Sequence, residues 1–528
     1  MKSISRRRNP FLISLIQQSL ILGLILVSTH VSAQTSFDEF KAWKQQTKSE
    51  FSDYKSKQDK AFASFLKQRW VELNAFKGTP LYEKKKIKTP PTAPKQVSVP
   101  KAAIEKPIIS TPIKTPTGKK PEEPIRTDEP QDIIANISPP QPIVRPSVKH
   151  IPKLAKQSRH ISFNYFGNTV AIPYDKAMKK RMGRKINKTT ISEQWSVLAK
   201  SDFEPTLDQL NLYKKDLQLN DWAYAILVNQ LAAELYPGKT NEQALFNWFV
   251  LIKSGYKSRL AYKKRHIYLL LATKQQIYAA QSLKYDGDKY YLLNFSGGKQ
   301  ERKLSKVYTY DGNYPAALNT FDMKLTQPVV TGPIKDKDKI KQSYHFSYLD
   351  NQYKFKTEID KYLIEFMRTY PQAHWKTYFN SNPSTLPRQQ IANQLRPLLQ
   401  GLSEQEAINL LLRFVQTSLK YATDDEQFGF ENPLFPEESL FYPASDCEDR
   451  SFLFAWLVKT LLNMEVIGLH YPGHMATAVK FRTKMTGDSV KYNGQKYIVA
   501  DPTYINANVG NAMPQFKKSK VEIVPIDS

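Results

Sequence analysis

The chain has 528 residues, a net charge of +28 and 41% apolar residues. That length and apolar content allow two or three cores and exclude a wholly unfolded chain. So basic a charge suits either nucleic acid or an anionic surface, and the N-terminus discriminates between them.

Lys2 and Arg6 to Arg8 precede the apolar run Leu20 to Val27, and Val31-Ser32-Ala33 has the small-x-small pattern of a cleavage site. Residues 1–33 therefore read as a secretory signal cut before Gln34, and Arg6-Arg7 suits twin-arginine export. The alternative is an uncleaved N-terminal membrane anchor, because Phe11 to Val27 is nearly long enough to span a bilayer, although Gln17 and Gln18 interrupt it. The expected location is the periplasm or cell envelope of a bacterium. Export removes nucleic acid as a partner and leaves an anionic cell-envelope polymer. It also bears on Cys447, the only cysteine, which cannot form an internal disulfide and persists in an oxidising compartment only if buried or used.

Phe37 to Phe76 lacks Pro and Gly and is expected to form one long amphipathic helix within residues 34–78. Its large side chains recur every eleven residues as Phe40/Trp43, Phe51/Tyr54, Phe62/Phe65 and Leu73/Phe76. Eleven residues are close to three turns, so these side chains share one stripe that has to meet a partner protein, a second copy as a coiled coil, the main body or a membrane interface. Residues 79–158 change character. Sixteen prolines fall between Pro80 and Pro152, and no aromatic residue occurs from Glu83 to Ser162. Such a stretch cannot build a core and reads as a disordered, Lys-rich tether.

Folded sequence resumes with the strand-like Ser162 to Phe166 and Thr169 to Ile172. Phe321 to Ser384 reads as a connecting region with one helix at Tyr362 to Met367 and Trp375 as a core anchor. Two further helices are expected at Leu386 to Leu399 and Ser403 to Tyr421, the second opened by the capping box Ser403-Glu404-Gln405-Glu406. Its face of Ile408, Leu411, Leu412, Val415 and Leu419 is expected to pack beneath the helix that follows Cys447.

That helix opens in Ser445-Asp446-Cys447-Glu448-Asp449-Arg450 and continues through the apolar Phe452 to Val458. A cysteine in a first helical turn meets unpaired N–H groups and the positive end of the dipole, which favour a thiolate. His474 and Asp501 follow at equal steps of 27 residues, each beside a strand-like run. The order Cys447, His474, Asp501 is that of a nucleophile, a base and a group that orients the base. His470 is the alternative base, but it lies before the strand rather than opening it. Flanking Asp446, Glu448 and Asp449 would disfavour a thiolate unless they cap the helix or meet a counter-charge such as Arg450. Eight scattered histidines and one cysteine show no zinc-ligand spacing.

Asp446-Cys447-Glu448-Asp449, His474 opening a strand and Asp501-Pro502-Thr503 together resemble the transglutaminase-like superfamily. With Tyr421 to Gly429 and Pro436-Glu437-Glu438 upstream, they are most similar to the bacterial transglutaminase-like cysteine proteinases. The resemblance covers roughly Leu402 to Tyr504, about a fifth of the chain. It implies an α+β, papain-like core over residues 326–528, with helices packed on an antiparallel sheet. It also implies a cysteine peptidase or amidase acting through a thioester on protein or peptide amides. No cofactor is required, although the proteinases hold calcium with acids corresponding to Asp446 and Glu448. A side-chain oxyanion donor is expected from Gln427, Asn432 or Tyr442. A cross-linking acyltransferase and a non-catalytic envelope scaffold are the rival readings.

A second pattern extends upstream. Leu245 to Val250 echoes Leu453 to Val458 at an offset of 208, which sets His266 against His474 and Lys239 against Cys447. Leu283 to Tyr290 echoes Val490 to Tyr497 at an offset of 207, with Asp-Gly and Asn-Gly turns in register and Asn294 opposite Asp501. Residues 159–325 then read as a degenerate copy of the same core, with Lys239, His266 and Asn294 at the triad positions. Gly255 to Leu260 also resembles the Gly-x-x-x-Arg turn that precedes the family's His strand.

Overall fold

The computed structural model describes residues 33–73, 77–79, 89–93, 159–296, 304, 306–325 and 334–527. The expected signal and most of the expected tether lie outside them. Among the described residues no helix is long and apolar enough to cross a membrane. The chain divides into two compact units, residues 1–61 and 62–528.

In the first unit, helix α1 (Ala33–Gln68) carries Phe40, Trp43, Phe51 and Tyr54, each more than half exposed. Two of the four expected aromatic pairs are thus on the surface. The third belongs to the second unit, where Phe62 is enclosed by the rings of Trp195, Trp248, Tyr310 and Tyr314. Phe65 packs over Gly312, where any Cβ would lie 2.6 Å from its ring. The helix does not continue to Phe76 as expected. It stops at Gln68, and strand β1 (Trp70–Leu73) pairs antiparallel with β8 (Val307–Tyr310). Trp70, Val71 and Leu73 suit a sheet edge, and tertiary pairing overrides a helical pattern without a stop signal. Phe76 lies outside the described residues.

The second unit is α+β, built on curled antiparallel sheets. The hairpin β2 (Arg159–Tyr165) and β3 (Asn168–Tyr174) matches the expected strands. Four helices follow: α2 (Lys188–Lys200), α3 (Glu204–Asp216), α4 (Asp221–Leu235) and α5 (Thr240–Lys253). Helix α5 lies on strands β4 (Ser258–Lys263) and β5 (His266–Ala272), which join β6 (Ser282–Tyr285) and β7 (Asp288–Leu292) in the order β1-β8-β4-β5-β7-β6.

The expected connecting region holds a ten-by-ten-residue hairpin, β9 (Lys339–Tyr348) and β10 (Asn351–Asp360), beside α6 (Lys361–Met367), α7 (Trp375–Phe379) and α8 (Thr385–Leu399). Helix α9 (Glu404–Ser418) opens with the expected capping box. The Ser403 N–H donates to Glu406 at 2.9 Å and the Glu406 N–H to the Ser403 hydroxyl at 3.3 Å. It ends at Ser418, and Lys420–Tyr421 forms β11, parallel to β12 (Ala444–Ser445). Short helices α10 (Asp424–Gln427) and α11 (Pro436–Phe441) lead to α12 (Cys447–Leu462).

Phe452 to Val458 is apolar around the helix, and α12 is accordingly enclosed by α7, α8, α9, α11 and the sheet. Ile408, Leu411, Leu412 and Val415 of α9 are buried, and α9 packs on α12 as expected. The sheet combines β13 (Val466–Tyr471), β14 (His474–Val479), β15 (Ser489–Tyr492), β16 (Gln495–Ala500) and β17 (Glu522–Pro525) in the order β17-β13-β14-β16-β15.

Apart from β1, the two large sheets have the same strand order: β8-β4-β5-β7-β6 in one and β17-β13-β14-β16-β15 in the other. Their registers also correspond. Lys263 faces His266 where Tyr471 faces His474, and Tyr285 faces Asp288 where Tyr492 faces Gln495. Both expected turns have two positive φ angles, 49° and 81° at Asp286-Gly287 and 48° and 75° at Asn493-Gly494, the backbone of a two-residue hairpin.

Candidate active site

Cys447 is the first residue of α12, so its N–H lies among the groups a helix cannot satisfy internally. His474 opens β14, and Asp501 directly follows β16, the strand paired beside it. Adjacent pairing brings the two side chains together, and His474 Nε2 lies 2.8 Å from Asp501 Oδ2. The other carboxylate oxygen accepts the N–H groups of Thr503 at 2.9 Å and Tyr504 at 3.2 Å, which fixes its orientation. The Asp501 carbonyl accepts from Gln416 Nε2 of α9 at 3.0 Å.

Helix and sheet are joined at this point. The Ser451 hydroxyl, one turn beyond Cys447, reaches the carbonyls of Cys447 at 2.8 Å and Met475 at 3.1 Å. Met475 is the neighbour of His474. Phe516 stacks on the imidazole with ring centres 4.9 Å apart and planes 8° from parallel, which keeps water from the His474–Asp501 bond. Cys447, His474 and Asp501 are all buried, and His474 Nδ1 has no hydrogen-bond partner. The Cys447 thiol donates to Glu448 Oε2 at 3.2 Å.

Acids dominate the surroundings. Carboxylate oxygens of Asp424, Asp446 and Asp449 lie within 4.8 Å of one another, as do those of Asp424, Glu431 and Glu448. Asp449 accepts the N–H groups of Leu434 at 2.8 Å and Asp446 at 3.2 Å. Burial, then the charges of Asp446, Asp424 and Glu448, push its carboxyl well above the usual range. Arg450, the expected counter-charge, turns chiefly toward α9. Its two terminal nitrogens donate to the carbonyls of Leu419 at 2.6 Å and Gln416 at 3.3 Å, closing the end of that helix, and burial lowers its pKa to about 10. Hard oxygens gathered this closely are the donor type that calcium takes, with Asp446 and Glu448 in separate groups that share Asp424.

No protein-family model, curated protein or solved structure matches this chain. The site's assignment therefore rests on its own geometry.

His470, the alternative base, lies on β13 and meets Glu522 at 3.2 Å, away from Asp501's carboxylate. Gln427 ends α10, the Asn432 N–H donates to Asp424 at 2.6 Å, and the Tyr442 hydroxyl is buried without a hydrogen-bond partner beside the Phe428 and Phe441 rings. In the first sheet His266 opens β5 as His474 opens β14, whereas Lys239 stands just before α5 rather than within it and Asn294 lies two residues beyond β7 rather than directly after it. All three are exposed, and Asn294 accepts the Ser296 N–H at 3.1 Å. Sequence reasoning missed Asp424, Glu431, Gln416, Ser451 and Phe516. Only Asp424 and Glu431 carried a signal, as acids within the Tyr421 to Glu438 stretch that the resemblance covers.

Proposed function

We propose that residues 326–528 form a transglutaminase-like cysteine peptidase or amidase acting on protein or peptide amides. The observation that carries the reading is the buried His474–Asp501 pair, whose free Nδ1 stands at the strand end that Ser451 ties to the Cys447 turn. In this mechanism Nδ1 takes the proton from Sγ, and the thiolate adds to the amide carbonyl. The Cys447 N–H donates to the oxyanion. As the C–N bond breaks, Nδ1–H protonates the leaving amine and a thioester remains. Water, deprotonated by Nδ1, then releases the acid and restores the thiol. Asp501 holds the tautomer with its proton on Nε2 and offsets the charge of the imidazolium.

Calcium, held by Asp446, Glu448 and the neighbouring Asp424, would neutralise acid charge that otherwise disfavours a thiolate. Residues 159–325 are proposed as a second transglutaminase-type core without chemistry, since Lys239 cannot supply a thiolate. The secretory reading remains part of the proposal, with an envelope protein or peptide as substrate.

The burial of Cys447 and its bond to Glu448 favour the rival reading, a scaffold in which the thiol is inert. Alkylation of Cys447 against pH, read by intact mass with and without calcium, distinguishes the two. The peptidase reading expects alkylation to persist well below the free-thiol pKa of about 8.5 and to fall at least about tenfold in His474→Ala. An ordinary thiol titration, unchanged by the substitution, would establish the scaffold.

A further inference from the structure

The Pro-rich stretch that precedes the β2–β3 hairpin has no Phe, Tyr or Trp beyond Tyr82 with which to anchor itself, yet five of its residues, 89–93, have a defined place. The Ala93 N–H donates to the Ile505 carbonyl at 2.8 Å, and the Ile505 N–H donates to the Pro91 carbonyl at 3.0 Å. Thr92 thereby lies opposite Ile505 in an isolated parallel bridge to the loop that follows Asp501. Ala93 is half-buried against the cluster of Tyr504, Ala507 and Met513, on which Phe516 also packs, whereas Thr92 is exposed.

That loop belongs to the catalytic pair's own support. Tyr504 donates its N–H to Asp501, and Phe516 lies flat on His474. The docked tether and Phe516, which covers the imidazole, therefore pack on one and the same apolar cluster. Its contacts are two main-chain hydrogen bonds plus one small side chain over an apolar cluster, the kinds of contact by which extended peptides are held when they pair with exposed backbone. Such contacts ask three things of a ligand: an extended backbone, a carbonyl two positions before a free N–H, and a small residue at that N–H. Pro91 satisfies the first two, because proline keeps its carbonyl and favours extended geometry. Ala93 satisfies the third.

We propose that the loop at Tyr504 and Ile505 is a peptide-binding site for extended chains with a small residue over the cluster of Tyr504, Met513 and Phe516, and that residues 91–93 occupy it in cis. A peptide substrate would displace the chain's own tether before reaching Cys447. This last point rests on the peptidase reading, whereas peptide binding at the loop does not.

The test is fluorescence anisotropy with a fluorescein-labelled peptide of residues 87–97. It is titrated into the full chain and into Ala93→Pro, which removes the N–H donor, and Ala93→Glu, which keeps the donor and sets a charge against the cluster. A tethered competitor acts at an effective concentration on the order of millimolar. Both variants should therefore bind the probe at least about tenfold more tightly than the unaltered chain. A probe with proline in place of Ala93 should bind the variants at least about tenfold more weakly, having lost its donor. Equal binding by the unaltered chain and both variants, or equal binding of the two probes, would overturn the proposal. Anisotropy does not depend on thiol chemistry, so an inert Cys447 with the expected binding pattern would remove the peptidase reading and leave this one standing.

Discussion

In the proposed mechanism two groups act on the proton of Cys447 in opposite directions. Glu448 accepts the thiol hydrogen bond and, while charged, disfavours a thiolate, whereas in the proposed mechanism His474 Nδ1 is the base that takes that proton. Glu448→Gln is therefore expected to move half-maximal alkylation of Cys447 about one pH unit lower in the absence of calcium. It should also blunt any response to the ion, a result that intact mass over a pH series would read directly. At this scale the sequence was informative where chemistry is rare. A single cysteine at a helix start and a histidine and aspartate beside strands could be seen without a fold. Phe516 and Gln416 could not. Each comes from a distant segment and acts through stacking or an amide hydrogen bond, and neither leaves a local pattern.

Among the elements, matching registers explain why the two sheets keep one order while their end residues differ. A one-residue slip would move every side chain of a strand to the opposite face, so pairing tolerates little change. Strand ends carry no such constraint, and there His474 is buried while His266 is exposed. Close approach constrains the sheet too. A Cβ on Gly468 of β13 would lie 2.5 Å from the Phe379 ring and 3.1 Å from Val524. Gly468→Ala should thus cost about 1–3 kcal/mol through overpacking, measurable as a lower urea midpoint at unchanged slope. The helices at Tyr362 to Met367, Leu386 to Leu399 and Ser403 onward and the Asp-Gly and Asn-Gly turns were legible from apolar patterning, a capping box and turn residues, whereas α2, α3 and α4 were not read. The β9–β10 hairpin was not, because its turn is Leu349-Asp350, two non-glycine residues at φ 48° and 62°. The end of α1 was missed for a related reason. The strand beyond it exists only because β8 is there to pair.

Across the whole molecule, buried acids couple stability to pH. Burial lifts Glu437 to about 7 and Glu438 to about 8, even though Glu437 accepts from the Ser384 N–H at 2.6 Å and hydroxyl at 2.8 Å. In the folded chain both hold protons that the unfolded chain releases near pH 4.5. Their contribution is accordingly greatest in acid and is lost progressively as pH rises from about 4.5 toward 8. Shifts of this size correspond to roughly 3 kcal/mol or more each. Thermal unfolding should show a midpoint falling over that interval, and a double Glu437→Gln, Glu438→Gln chain should flatten the slope.

The enclosure of Cys447 has a consequence for time rather than energy. A side chain with no exposed surface is reached only while some part of the molecule is open. Because it is the only thiol in the chain, reagent uptake divided by the rate for an unprotected cysteine, both taken at a pH where the thiols are fully ionised, gives the fraction of time the site stands open. Each tenfold slowing corresponds to about 1.4 kcal/mol of opening free energy. The residue assigned to chemistry is therefore also a clock for the motion that any substrate would have to await.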